Sequence, residues 1–245
     1  MRLPAVITID GPAASGKSTL GELLARRLGF TFFDTGVLYR ALTLLALRNG
    51  IPLDNPTALA DYASRVHLSV LPPTEEDGRQ YTVLADAEDL TWDLRDVLVD
   101  RNVSRVASYP EVRAALRDQQ RAIGMRGKVV MVGRDIGSIV MPDADYKLYV
   151  DAPIHERAQR RHADLLRRGS DLPLATVAED LRRRDMLDGR NTHVPPDAII
   201  LSNEGMTPDE AVAHIVTLLE RSVALGAPPA QQEEAEPRAR SGYGR

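Results

Sequence analysis

Cysteine is absent from all 245 residues, which excludes disulfides and thiolate metal centres. Long apolar runs are absent too, so nothing approaches the ~20 residues of a membrane-spanning helix. Met1-Arg2-Leu3-Pro4 leads straight into a strand-like segment, so no signal peptide is expected and the chain reads as cytoplasmic. Aromatic residues make up only 4%, and the arginine runs at 160–161, 167–168 and 182–184 have none interleaved. With a net charge of −4 and a pI near 5.8, a nucleic-acid-binding module is not expected. Lysine is scarce as well: only Lys17, Lys128 and Lys147 occur, so 28 of the 31 basic residues are arginine. Arginine grips phosphate with a planar fork. A general preference for arginine codons would give the same composition, which does not separate the two.

What is present is decisive near the amino end. Gly11-Pro12-Ala13-Ala14-Ser15-Gly16-Lys17-Ser18 fits G-x-x-x-x-G-K-[ST] at every fixed position. The β-branched run Ala5 to Asp10 precedes it, and Thr19 to Leu28 follows with leucines at helical spacing. Strand, glycine loop and helix are the parts of a phosphate cradle, in which loop N–H groups and the helix N-terminus face an anion. Gly11 to Ser18 are therefore expected to bind a nucleoside triphosphate, with Lys17 on its β- and γ-phosphates and Ser18 as a Mg²⁺ ligand.

Strands and helices alternate along the rest. Short strands are expected at 31–33, 128–132, 146–150 and 198–201, and helices at 37–49, 56–64, 93–108, 110–125, 154–168, 174–187 and 207–225. Residues 66–92 differ in texture: two extended runs flank a polar turn at 72–80, with a third short strand at 86–92, which predicts a small antiparallel insertion. The fold class is α/β, a five-stranded parallel sheet covered by helices. Residues 227–245 lack apolar periodicity and are expected to be a disordered tail.

Ligands in such sheets sit beyond the carboxyl ends of the strands. Asp34-Thr35-Gly36 with Tyr39 and Arg40 stands at one such end, and Gly133-Arg134-Asp135 at another. Arg157 and Arg161 share a helix face, with Arg160 beside them, and a second arginine-bearing helix follows the turn at 168–171. Such a pair of helices can close over transferring phosphates and place cations on developing charge.

These residues give a resemblance. Ile9-Asp10-Gly11-Pro12, Asp34 to Arg40, Tyr109 to Arg113, Gly133 to Gly137 and Arg184 to Asp188 make residues 4 to 225 resemble the bacterial cytidylate kinases, a group of nucleoside monophosphate kinases. The resemblance implies a P-loop NTPase fold forming one kinase domain over 1–226, with an enlarged monophosphate-binding segment at about 35–110 and a short helical lid at about 153–175. It implies transfer of the γ-phosphoryl group of ATP, held at Gly11 to Thr19, to CMP or dCMP with Mg²⁺, by a monomer. Thr35, Arg40, Ser104, Arg113, Arg134, Asp135 and Asp188 are the matching acceptor pocket. Arg40 and Arg134 would hold the acceptor phosphate, Ser104, Arg113 and Asp135 the cytosine edge, and Asp188 the sugar. Lys17, Arg134, Arg157 and Arg161 would share the transition-state charge. Two departures stand out: Thr35 replaces a serine, and Asn191 occupies the place of an arginine, whose role falls to Arg190. Asp135 is the expected organiser of the Mg²⁺ waters, with Asp10 and Asp34 as alternatives.

Kinases for UMP, dTMP or shikimate share the opening of the chain, though shikimate kinases normally lack the insertion. A GTPase-like switch needs an N-K-x-D motif, and with lysine only at 17, 128 and 147 none exists.

Overall fold

A computed structural model describes residues 6–167, 169–188 and 194–225; the side chains of 187, 188 and 222–225 fall outside that description. The expected tail and Arg190 lie outside the described residues.

The main sheet is parallel, in the order β2-β6-β1-β7-β8, from β1 (Val6–Asp10), β2 (Thr31–Asp34), β6 (Val129–Gly133), β7 (Tyr146–Asp151) and β8 (Ile199–Ser202). Both faces are covered, so every residue of β1 is buried. Successive side chains point to opposite faces and enter two separate cores. Ile7, Ile9, Val130 and Val132 join Leu20 and Leu24 of α1 (Lys17–Leu28) and Ile215 of α8 (Pro208–Leu225). Phe33, Val129 and Met131 join the other core with α2 (Gly36–Arg48), α3 (Pro56–Arg65), α4 (Val97–Ser108) and α5 (Pro110–Gly124).

The insertion is an antiparallel sheet of β3 (Leu68–Leu71), β4 (Thr82–Ala85) and β5 (Glu88–Asp89), as the texture of 66–92 predicts. Its third strand is only two residues long. The helix expected from Asp93 is split: a 3₁₀ turn at Asp93–Arg95 ends at Asp96, whose carboxylate accepts from the Leu98 N–H at 2.6 Å and starts α4 afresh. A π-helical turn at Ile136–Val140 has no counterpart in the sequence reading. Two further helices, α6 (Ile154–Arg167) and α7 (Leu174–Asp188), enclose a small cluster in which Ala158, Val177 and Leu181 pack on Ala13 of the glycine loop. The last helix starts at a reciprocal cap, with Thr207 N–H to Glu210 Oε2 at 2.8 Å and Glu210 N–H to Thr207 Oγ1 at 3.3 Å.

Candidate active site

Asp10, Asp34, Gly133, Asp151 and Ser202 end the five parallel strands at one edge of the sheet. Between β1 and α1 the glycine loop makes its turn with three residues at positive φ: Gly11 at 152°, Ala14 at 60° and Gly16 at 93°. Gly11 admits no side chain, because a Cβ there would lie 2.1 Å from the Val150 carbonyl oxygen.

Four carbonyls of the loop are each engaged by a side chain. Arg134 Nη1 donates to Gly11 O at 2.9 Å, Lys17 Nζ to Pro12 O at 2.8 Å and Arg157 Nη1 to Ala13 O at 3.1 Å. Ser15 O accepts from Asn203 Nδ2 at 2.8 Å. A trans peptide points its N–H away from its carbonyl, so fixing these carbonyls also fixes the direction of the N–H groups that follow them. The loop backbone is thereby held in place from several sides.

At the loop's far end the exposed Ser18 hydroxyl donates to Asp34 Oδ2 at 2.9 Å, and Asp34 Oδ1 accepts from Gly36 N–H at 3.0 Å. Along the neighbouring strand end, Arg113 Nη2 meets Asp135 Oδ2 at 2.6 Å and lies 5.7 Å above the Tyr39 ring. Both side chains are largely shielded, at 15% and 10% exposure, which makes the pair a directional donor–acceptor couple in a poorly screened place. Thr35 is buried and donates to Val132 O at 3.0 Å.

The family model for cytidylate kinase matches residues 7–221. The chain belongs to the cytidylate kinase family. A cytidylate kinase of Herpetosiphon aurantiacus is 53% identical over 219 residues, covering 89% of this chain and 96% of that one. One from Chloroflexus aggregans is 53% identical over 216 residues, covering 88% and 94%. Among solved structures, a shikimate kinase from Bacteroides thetaiotaomicron aligns over 88% of this chain and 98% of its own, with a TM-score of 0.45 at 12% identity.

The residues expected from the family pattern fall into three groups. Lys17, Ser18 and Arg134 gather around the loop, and Arg113, Asp135 and Thr35 line the ends of β2 and β6. Arg40 is tied to the 3₁₀ turn and to α4, donating to Leu94 O at 2.9 and 2.7 Å and pairing with Asp100. Ser104 is exposed on α4, and Asp188 ends α7. Of the arginines on α6, Arg161 is part-exposed and contacts Asp164 at 3.2 Å. Arg157 is buried, its fork closed on Asp185 at 3.1 and 2.7 Å, so it joins α6 to α7 and to the loop.

Sequence reading missed three contributors. Asn203 has a positional signal, since it directly follows β8 at a strand's carboxyl end. Asp185 lay inside a recognised segment but without an assigned partner. Tyr81, at the edge of the insertion, packs against Phe32 with ring centroids 6.0 Å apart. Burial and then the Asp34 charge push its phenol well above the usual range.

Asp10 is fully buried at the end of β1 and accepts from the N–H groups of Ile136 at 2.8 Å and Gly137 at 2.7 Å. It thus anchors the turn that follows Arg134 and Asp135. Burial pushes its carboxyl up to about 6, against the pull of those two hydrogen bonds; the Asp135 charge pushes the same way and the Lys17 charge opposes it. The folded chain therefore holds this proton more tightly than the unfolded chain. The stability it contributes is present at pH 4 and lost as pH rises to about 6, a swing of about 3 kcal/mol at most. Urea unfolding of the parent and of Asp10→Asn, at steps from pH 4 to 7, should show the parent's advantage shrinking as pH rises. A constant difference would contradict the sign.

Proposed function

We infer that this protein is a cytidylate kinase, transferring the γ-phosphoryl group of ATP to CMP or dCMP. Family membership over most of the chain carries the reaction, and the Arg113–Asp135 couple beside the glycine loop supports the choice of base. Cytosine offers an N4 amino donor beside N3 and O2 acceptors, so a carboxylate that accepts and a guanidinium that donates fit it. Uracil reverses the donor–acceptor order at two of these positions and would leave shielded polar groups unpaired, which costs about 1–3 kcal/mol each.

The nucleophile is an α-phosphate oxygen of the acceptor. It carries negative charge already, so no general base is required. It attacks the γ-phosphorus in line, the bond to the β–γ bridging oxygen breaks, and ADP and CDP result. Catalysis is then positioning and charge stabilisation. Lys17 would move from Pro12 O to the β- and γ-phosphates. Arg40 and Arg134 would hold the acceptor phosphate, Arg161 would add charge from the lid, and Arg157 would keep that lid joined to the loop. Ser104 and Thr35 would complete the base pocket, and Asp188 and Arg190 the sugar end.

For a divalent ion the residues present fit Mg²⁺. Ser18 Oγ and Asp34 Oδ2 are hard oxygens 2.9 Å apart at the exposed mouth of the loop. No cluster of three or more potential His, Cys, Asp or Glu ligands occurs among the described residues. That sparse donor set suits an ion that keeps waters and takes its other ligands from substrate phosphates. Ser18 would ligate it directly and Asp34, through water, would stand where the sequence reading put Asp135 first; Asp135 is engaged with Arg113. When bound, Mg²⁺ neutralises charge on the phosphates.

A panel of CMP, dCMP, UMP, AMP and dTMP, followed by ADP release with and without EDTA, tests the reading. CMP and dCMP should be turned over at least about tenfold better than UMP, as one mispaired polar contact predicts, and EDTA should abolish release. Equal rates with CMP and AMP would refute the base assignment.

A further inference from the structure

The Ser15–Gly16 peptide is held by two side chains that no family motif identified in the sequence includes. Asn203 is 6% exposed. Its Nδ2 donates to Ser15 O at 2.8 Å, and its Oδ1 accepts from Arg160 Nη1 at 3.1 Å. Arg160 Nη1 also reaches Ser15 O at 3.3 Å, which closes a triangle of three polar groups on one carbonyl. The other arm of Arg160 donates to Asn203 O at 3.2 Å and to Glu156 at 2.8 Å.

The triangle dictates its own orientation. Only with Nδ2 toward the carbonyl and Oδ1 toward the guanidinium are both ends of the amide satisfied. Asparagine is also the residue that meets a donor demand and an acceptor demand from one short side chain; Asp would set a second oxygen against Ser15 O.

The consequence falls on the next residue. Because the peptide is planar and trans, drawing Ser15 O outward turns the Gly16 N–H toward the inner face of the loop. Gly16 adopts φ +93°, and a Cβ on it would sit 3.0 Å from Asn203 Nδ2. Loop and amide are thus packed at the distance of a main chain without a side chain.

We propose that Asn203, acting with Arg160, is a positioning residue for ATP: it presets the Ser15–Gly16 peptide so that the Gly16 N–H faces the phosphates before they arrive. The proposal rests on the kinase reading above and adds to it a residue after the last strand. Because Arg160 belongs to α6, the same triangle connects the lid to the donor loop. Thr35 and Asp135, just beyond the ends of β2 and β6, and Arg113 on α5 take no part in it.

The test is calorimetric binding of a nonhydrolysable ATP analogue to the full chain, with steady-state kinetics alongside. Asn203→Ala should weaken the analogue about tenfold, the loss expected of a hydrogen bond to a charged partner's network, and raise KM for ATP to match. KM for CMP should stay within about twofold. Arg160→Ala should act in the same direction, and the double variant should lose less than the product of the two single losses, since both act on one carbonyl. Should Asn203→Ala not be recovered folded, Asn203→Ser and Arg160→Ala supply the same measurements. Analogue binding by Asn203→Ala or Asn203→Ser within twofold of the parent would overturn the proposal. So would KM values for ATP and CMP rising in parallel with a falling Tm, the mark of general loosening. Analogue binding needs no acceptor, so a parent chain that binds the analogue but ignores CMP would refute the acceptor reading and leave this one standing.

Discussion

Lys17→Ala is expected to lower turnover of ATP with CMP by about 10³-fold or more, the scale seen when a cation is removed from transferring phosphates. The side chain is partly exposed and donates to Pro12 O at 2.8 Å, on the loop it belongs to. The unfolding temperature should therefore stay within about 2 °C of the parent, in line with a change of less than ~1 kcal/mol. Both kcat and kcat/KM should fall, because charge on the γ-phosphoryl oxygens and leaving oxygen is largest in the transition state. An exposed arginine such as Arg26, paired with Glu22 one turn away, serves as the control and should cost almost nothing. Near-normal turnover of Lys17→Ala would remove the loop from the reaction.

A second large effect is expected from Gly11→Ala, and here it is stability that fails first. The added methyl would stand 2.1 Å from Val150 O, and that atom cannot step aside. Val150 lies in β7, whose neighbours pair with β1 on one side and which itself pairs with Leu201 of β8 on the other. The φ of +152° adds a conformational penalty for any residue with a Cβ. Together these should cost roughly 3 kcal/mol or more, which at this chain length lowers Tm by about 6–12 °C. Affinity for ATP should collapse with it, since the same carbonyl-to-loop contact sets where the cradle begins. A Tm unchanged from the parent would show that the loop is placed by something other than its close approach to β7.

Much of this was legible beforehand because strong local signals agreed with the global pattern. The glycine loop has fixed spacing, the five parallel strands are short β-branched runs, and the insertion switches to a two-residue period; all three are properties of neighbouring residues. The split at Asp96 was not legible, because the heptad-like apolar pattern runs on through 93–108 while a single carboxylate restarts the helix. The π turn at Ile136–Val140 escaped for a different reason. Its N-terminal N–H groups are satisfied by Asp10, 126 residues earlier, and no local pattern reports a partner that distant.

The site divides the same way. Residue types were readable, since arginines and carboxylates after strand ends mark phosphate chemistry, but their allegiances were not. Arg157 and Arg161 look equivalent on one helix face, yet burial against Asp185 commits the first while the second stays near solvent. Asn203 carries no charge and no motif; only its contact with a loop 188 residues away reveals it.

The two cores and the small cluster on Ala13 differ in what they would survive. The segment from α2 to α5 shares one continuous apolar interior with Phe33, Val129 and Met131 of the main sheet, so cutting it out would strip that face bare. Helices α6 and α7 meet the glycine loop through a small cluster, Ala158, Val177 and Leu181 on Ala13, with a few polar fasteners. Replacement of α6 and α7 should therefore disturb the rest of the chain little, whereas the segment from α2 to α5 is bound up with the scaffold and tolerates change one side chain at a time.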